Sequence, residues 1–184
     1  MRLLRAADRY VVDQPGIRSW HCFSAGAHYD PANLSFGPLL GVDEHLVDPG
    51  AGFEDHAHRG VDIVSVVLAG ALSHRSGSVE RVVRAGETLL QRTGDGIRHT
   101  ERNASATEPL RLLQLTSLPE STVVSVVSGG HRFHDPWLHL FVAAGEWRVG
   151  DVALHPGDSL RAEEPVGVVA EVVVAGSLVV AAAS

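Results

Sequence analysis

Apolar residues in this chain come in short β-branched runs, broken at regular intervals by turn residues. Val61–Leu68, Val79–Arg84, Thr88–Arg92, Ile97–Arg102 and Leu110–Thr116 each read as a strand. Between and before them stand Asp48-Pro49-Gly50, Ala69-Gly70, Ser76-Gly77-Ser78, Ala85-Gly86 and Gly94-Asp95-Gly96. Five strands at that spacing predict an antiparallel sandwich or small barrel. No long segment carries a convincing helical period.

A second series follows: Leu138–Ala143, Trp147–Val149, Val152–Leu154, Val168–Val174 and Leu178–Ala182. Its expected turns are Ala144-Gly145-Glu146, Val149-Gly150-Asp151 and His155-Pro156-Gly157-Asp158, with a further break at Ala175-Gly176-Ser177. In both series a strand ends at glycine and a later Gly-acid turn opens another strand, as in Ala85-Gly86-Glu87 and Pro156-Gly157-Asp158. The pattern reads as a degenerate internal repeat, with residues 119–135 as the connection. Two domains are expected, 1–118 and 119–184.

Two pairs on the strand-like segments carry the chemistry. In a strand, residues i and i+2 point to the same face, whereas in a helix they lie on nearly opposite sides. His56-Ala57-His58 and His99-Thr100-Glu101 therefore act as two-pronged ligands if each lies on a strand. About 40 residues separate them, enough for two hairpins to bring the strands together. If His99 and Glu101 point inward, then Arg98, Thr100 and Arg102 point outward. An inward carboxylate is costly without a partner, and a metal ion removes that cost.

Eleven histidines in 184 residues make one chance His-x-His pair unsurprising. The second pair, with its carboxylate, gives the pattern weight. Three imidazoles and one carboxylate suit a divalent transition metal with open coordination positions, and Fe, Mn, Co, Ni, Cu and Zn all accept such a set. His21, His28, His45 and His74 stand alone and read as surface or hydrogen-bonded histidines. His131, His134 and His139 fit no single strand face and read as part of a connecting loop. Asp62 reads equally as an acceptor for a ligand imidazole or as a solvated strand carboxylate.

Composition narrows the remaining classes. The chain is 45% hydrophobic with a net charge of −7, and all 15 basic residues are arginine. No basic run tracks a phosphate backbone, so direct nucleic-acid binding is not expected. Cys22 is the lone cysteine, which excludes an intramolecular disulfide. The N-terminus lacks the apolar core of a signal peptide. The apolar stretch from Val166 to Ala183 is interrupted by Glu171 and Gly176 and reads as two buried strands rather than a membrane span. A cytoplasmic protein is the expectation.

A family resemblance rests on the motif residues themselves. Tyr29-Asp30-Pro31, Phe36-Gly37, Pro49-Gly50-Ala51-Gly52-Phe53, His56-Ala57-His58-Arg59-Gly60, Gly86 and the run Gly94 to Asn103 resemble the pirin family of the cupin superfamily. So do Glu108-Pro109-Leu110, Leu112-Leu113-Gln114-Leu115 and Leu118-Pro119. The likeness covers residues 15–119 and is nearest to bacterial pirin-like quercetin 2,3-dioxygenases. It implies an all-β bicupin of two tandem barrels, with iron or another divalent metal in the first.

The implied metal ligands are His56, His58, His99 and Glu101, with Glu101 also the candidate general base. The implied partners are dioxygen and a phenolic substrate such as quercetin. The alternative is a non-catalytic, iron-dependent redox sensor or regulatory protein acting through a protein partner. A homodimer is also compatible with the sequence. Ala57, Asp62 and Thr100 depart from the family's usual proline, glutamate and serine. Members are usually longer, with the difference falling after Pro119, so a trimmed, degenerate second barrel is expected.

Overall fold

Period-two alternation is realised as strand throughout the computed structural model, which describes residues 1–163 and 167–183. Among the described residues seventeen strands follow one another: β1 (Arg2–Leu4), β2 (Tyr10–Gln14), β3 (Ile17–His21), β4 (Leu39–Val47), β5 (Gly52–His58), β6 (Asp62–Ala69), β7 (Ala71–Ser76), β8 (Val79–Arg84), β9 (Thr88–Arg92), β10 (Ile97–Asn103), β11 (Leu110–Ser117), β12 (Val123–Val127), β13 (His131–Phe133), β14 (Trp137–Val149), β15 (Val152–Leu154), β16 (Ser159–Glu163) and β17 (Val168–Ala183). Among the described residues the only helix is a single 3-10 turn, Ala6–Asp8, so none is long and apolar enough to cross a membrane. Val166, where the apolar C-terminal stretch begins, lies outside the described residues.

Two compact units form. One comprises residues 10–35 and 39–120; the other comprises 1–9, 36–38 and 121–184. The first unit holds a six-stranded sheet, β2-β3-β4-β11-β6-β9, and a four-stranded sheet, β5-β10-β7-β8. All pairings in both sheets are antiparallel. Ile17, Val47, Val67, Leu72, Val83, Leu89, Leu110 and Leu112 form its buried apolar cluster. All five strands expected in this region appear, with ends shifted by a residue at most.

The other unit is one seven-stranded sheet, β1-β16-β14-β17-β12, with β13 added on β17 and β15 on β14. Its core gathers Leu138, Leu140, Val142, Trp147, Leu160, Leu178 and Val180. The first strand is tied in by Asp158, which accepts from the Ala6 N–H at 2.8 Å and from Arg5 at 2.7 Å. Burial alone would raise this carboxyl. The Ala6, Arg5 and His155 hydrogen bonds overcome that and hold it below the usual carboxylate range.

The structure corrects three expectations here. Ala144-Gly145-Glu146 and Ala175-Gly176-Ser177 do not end strands; they lie inside the continuous β14 and β17. The register slips at Val142/Ala144 and Ala144/Glu146, and a Cβ on Gly176 would run into the Ala144 carbonyl. The small residues thus allow close backbone approach at bulges, not turns. Residues 119–135 are no plain connection, since β12 and β13 both pair with β17. His139 is not in a loop: it sits in β14 at 1% exposure, where burial, aided by Arg161, lowers its pKa to about 3.

Candidate metal centre

The strands of the first unit stack their inward side chains in layers, and one layer is polar. Leu72 on β7 belongs to the apolar cluster, and His74, two residues on, is buried beside it. The same step leads from Leu89 to Gln91 on β9, from Leu112 to Gln114 on β11, from Val67 to Ser65 on β6, and from Val47 to His45 on β4. A shift of two keeps the face and moves along the strand. An apolar floor therefore carries a polar storey above it.

His99 and Glu101 enter this storey from β10, at 1% and 2% exposure. Arg98 and Arg102, on the opposite phase, are exposed and pair with Asp55 and Glu54 of β5, the latter at 2.6 Å. β5 lies antiparallel to β10, with His56 opposite His99 and His58 opposite Ile97. Between His99 and Glu101 the register slips, so that Glu101 faces Phe53. β5 thus carries one extra residue at the bulge, and its two histidines stay on the inner phase above it.

The histidine rings converge. The ligand atoms of His56, His58 and His99 lie within 4.8 Å of one another. His56 Nδ1 donates to the Glu54 carbonyl at 2.7 Å, which leaves Nε2 as a bare lone pair. His99 Nδ1 lies against Gln91 Oε1 and 2.9 Å from His74 Nε2; with the ring proton on Nδ1, donated to Gln91, the His99 Nε2 is bare as well. These two Nε2 atoms face each other at 2.9 Å. In that tautomer two lone pairs face each other, and a cation between them would satisfy both. The donor set fits a divalent transition metal.

Electrostatics favour neutral, ligating imidazoles. Burial, then the neighbouring His56, His74 and His58, lowers the His99 pKa to about 3. Burial and His56 lower that of His58, against a smaller opposing effect of Glu101.

Glu101 is placed differently from the three histidines. Its carboxylate forms a second group with His74 and His99. Gln114 Nε2 donates to both carboxylate oxygens at 2.9 Å, and Gln91 Nε2 approaches Oε1 at 3.4 Å. The structure thus brings three of the four expected ligands, His56, His58 and His99, into one cluster, while Glu101 groups with His99 and His74 instead.

Asp62 serves neither expected role. It accepts the backbone N–H of Glu120 at 2.8 Å. Gln91, Gln114, Ser65 and His74 were not anticipated as site residues. For Gln91, Gln114 and Ser65 the signal was a lone polar side chain on the inward phase of a strand with apolar neighbours, as in Leu112-Leu113-Gln114-Leu115.

On the open side, Gln14, Ile17, Phe53 and His56 line a hollow of about 350 Å³. A larger groove of about 550 Å³ involves Asp55, Arg75, Glu80 and Arg98, with Arg98 paired to Asp55 in its lining.

Comparisons with known proteins agree with this architecture. The family model described as Pirin matches residues 4–116. A protein named quercetin 2,3-dioxygenase from Escherichia coli K12 is 32% identical over 155 residues, covering 83% of this chain and 67% of that one. A Mycobacterium tuberculosis relative is 40% identical over 126 residues, covering 68% of this chain and 52% of its own. The chain thus spans about half the length of that relative. In fold, the chain is similar to the E. coli bacterial pirin YhhW, solved in complex with nickel(II), with a TM-score of 0.89 at 22% identity over 99% of this chain and 98% of that one. It also resembles a quercetin 2,3-dioxygenase from Acinetobacter baumannii, with a TM-score of 0.72 at 14% identity, covering 100% of this chain and 86% of that one.

Proposed function

The chain belongs to the pirin family, and from that membership we propose that it is a metal-dependent dioxygenase of the quercetinase type, acting with dioxygen on a flavonol or related phenol. The observation that carries the reading is the pair of opposed Nε2 atoms of His56 and His99, each a lone-pair donor when its Nδ1 carries the ring proton. His56, His58 and His99 hold the metal, iron first among the candidates, and Glu101 is the fourth ligand or the base. A bound divalent metal supplies a lowered pKa for a coordinated hydroxyl and a route for electrons to dioxygen.

The remaining roles fall to side chains. Glu101 accepts the substrate hydroxyl proton when it does not ligate. Gln114 holds that carboxylate by two hydrogen bonds and restricts its swing. Gln91 accepts from His99, fixing its tautomer, and the same amide's N–H reaches toward Glu101. The hollow beside His56, with Phe53 and Ile17 in its wall, is of a size for an aromatic substrate. In the bicupin reading, the unit built on residues 121–184 is a degenerate second half. Among the described residues, none of its side chains forms a ligand cluster.

The test is an assay of iron-loaded protein with quercetin, with and without air. Oxygen-dependent loss of the flavonol absorption band is expected. No loss with any divalent metal would sink the enzyme reading and leave a metal-dependent binding protein.

A further inference from the structure

The first unit has another opening, at the β8 edge of its four-stranded sheet. β8 and β9 are the edge strands of two different sheets, and between them lies a pocket of about 200 Å³. Its walls include Val79, Leu89, Leu90 and Ile97. At its inner end are His74 and Gln91, both more than nine-tenths buried. Arg81 and Arg92 complete the lining and are exposed.

The polar atoms assign the ligand's chemistry. His74 Nε2 lies 2.7 Å from Gln91 Oε1, an acceptor, so Nε2 carries the ring proton. Nδ1 is then a lone-pair acceptor, and among the described residues it has no hydrogen-bond partner. No carboxylate pairs with Arg81 among the described residues either. Arg92 has only a 3.9 Å contact to Glu120, both side chains being largely exposed. The pocket thus combines cations in its exposed lining, an apolar throat and an unpartnered imidazole acceptor at its inner end. Its volume suits one ring rather than the three of a flavonol.

We propose that the β8–β9 opening is a binding site for a hydroxylated single-ring aromatic carboxylate. The carboxylate meets Arg81 and Arg92, the ring lies between Val79 and Leu90, and the ring hydroxyl donates to His74 Nδ1. The site is distinct from the hollow beside His56 and does not rest on the dioxygenase reading. It touches the candidate metal centre through His74 and Gln91, which contact His99.

The experiment is a calorimetric and NMR titration of the full chain with 4-hydroxybenzoate, benzoate and benzyl alcohol. A chelator is present throughout, so that coordination to a metal contributes nothing. Saturable binding of 4-hydroxybenzoate is expected, with amide shifts centred on His74, Leu90 and Gln91. Benzyl alcohol should bind at least about tenfold more weakly, and benzoate in between. Arg81→Glu, and separately Leu90→Trp to fill the throat, should each weaken binding about tenfold or more. Both positions are exposed on edge strands, so the fold should survive, as an unchanged melting temperature would show. The proposal is overturned by the absence of saturable binding at ~10 mM, by equal affinity for benzyl alcohol, or by folded variants that bind as the parent does.

Discussion

His56 and His99 stand directly opposite each other on β5 and β10, with their Nε2 atoms 2.9 Å apart and both Nδ1 atoms committed to hydrogen bonds. Replacing His99 by alanine removes one side of that pair and should take metal content from stoichiometric to background. Elemental analysis of the purified variant is the check. Full retention of metal would mean that the ligand set is wrong.

Gln91 should matter almost as much, although it touches no metal. Its carbonyl oxygen fixes the His99 tautomer, and such supporting contacts typically carry a 10- to 100-fold share of affinity. Gln91→Leu should therefore weaken metal binding by about that factor, read in a competition titration against a chromophoric chelator. The far-UV circular dichroism spectrum should not change.

Glu101→Gln separates two roles for one carboxylate. If Glu101 acts chiefly as base, the variant keeps its metal on three histidines and loses flavonol turnover by about 100-fold or more. If it is needed as a ligand, metal is lost together with activity. Metal analysis and the quercetin assay on the same preparation distinguish the two.

Stability should fall on mild acidification. Burial lowers the His45 pKa to about 4 and the His139 pKa to about 3, against the ordinary 6.5. Below 6.5 the unfolded chain binds protons that the folded chain refuses, so stability is full above that pH and declines as pH drops toward 4 and then 3. The slope is up to about 1.4 kcal/mol per pH unit for each histidine within its window. Denaturant melts between pH 7 and pH 4 measure it, and His45→Gln should flatten the decline. Unchanged stability from pH 7 to pH 4 would contradict the burial argument.

Gly52 lies opposite Arg102 on β10, and a Cβ there would meet the Glu101 carbonyl oxygen and the Arg102 backbone. Gly52→Ala should force β5 away from β10, destabilising the protein by about 1–3 kcal/mol. Metal binding should fall with it, because His56 is four residues along the same strand. Thermal melts and metal analysis test both effects.

Much of the first unit could be read directly from sequence, and the reason is physical. Its strands are short and its turns carry glycine where the backbone needs it, as at Gly86 and Gly94 with φ of 86° and 47°. The inward phase of His99 and Glu101 followed from Arg98 and Arg102, the charged residues flanking them on the opposite phase. What escaped notice was longer in range. Glycines within β14 and β17 look like turns locally, and only the facing strand shows that they sit at bulges. The pairing of β1 with β16 joins residues about 150 positions apart, and no local pattern encodes it. His74 carried no signal alone, since its significance comes from β7 lying beside β10.

The two-residue spacing of the β5 histidines makes the centre sensitive to frame. The bulge absorbs the odd residue between Phe53 and His56, but inserting or deleting one residue between His56 and His58 would turn one of the two imidazoles to the outer face. The strand could still pair with β10, and the chain could still fold. Length changes are cheaper in the loop after Asn103, where Ala104 to Pro109 joins β10 to β11. In a lineage of such proteins, a lost centre can therefore arise by one indel with every histidine intact. Counting ligand residues would miss that loss; counting the residues between His56 and His58 would reveal it.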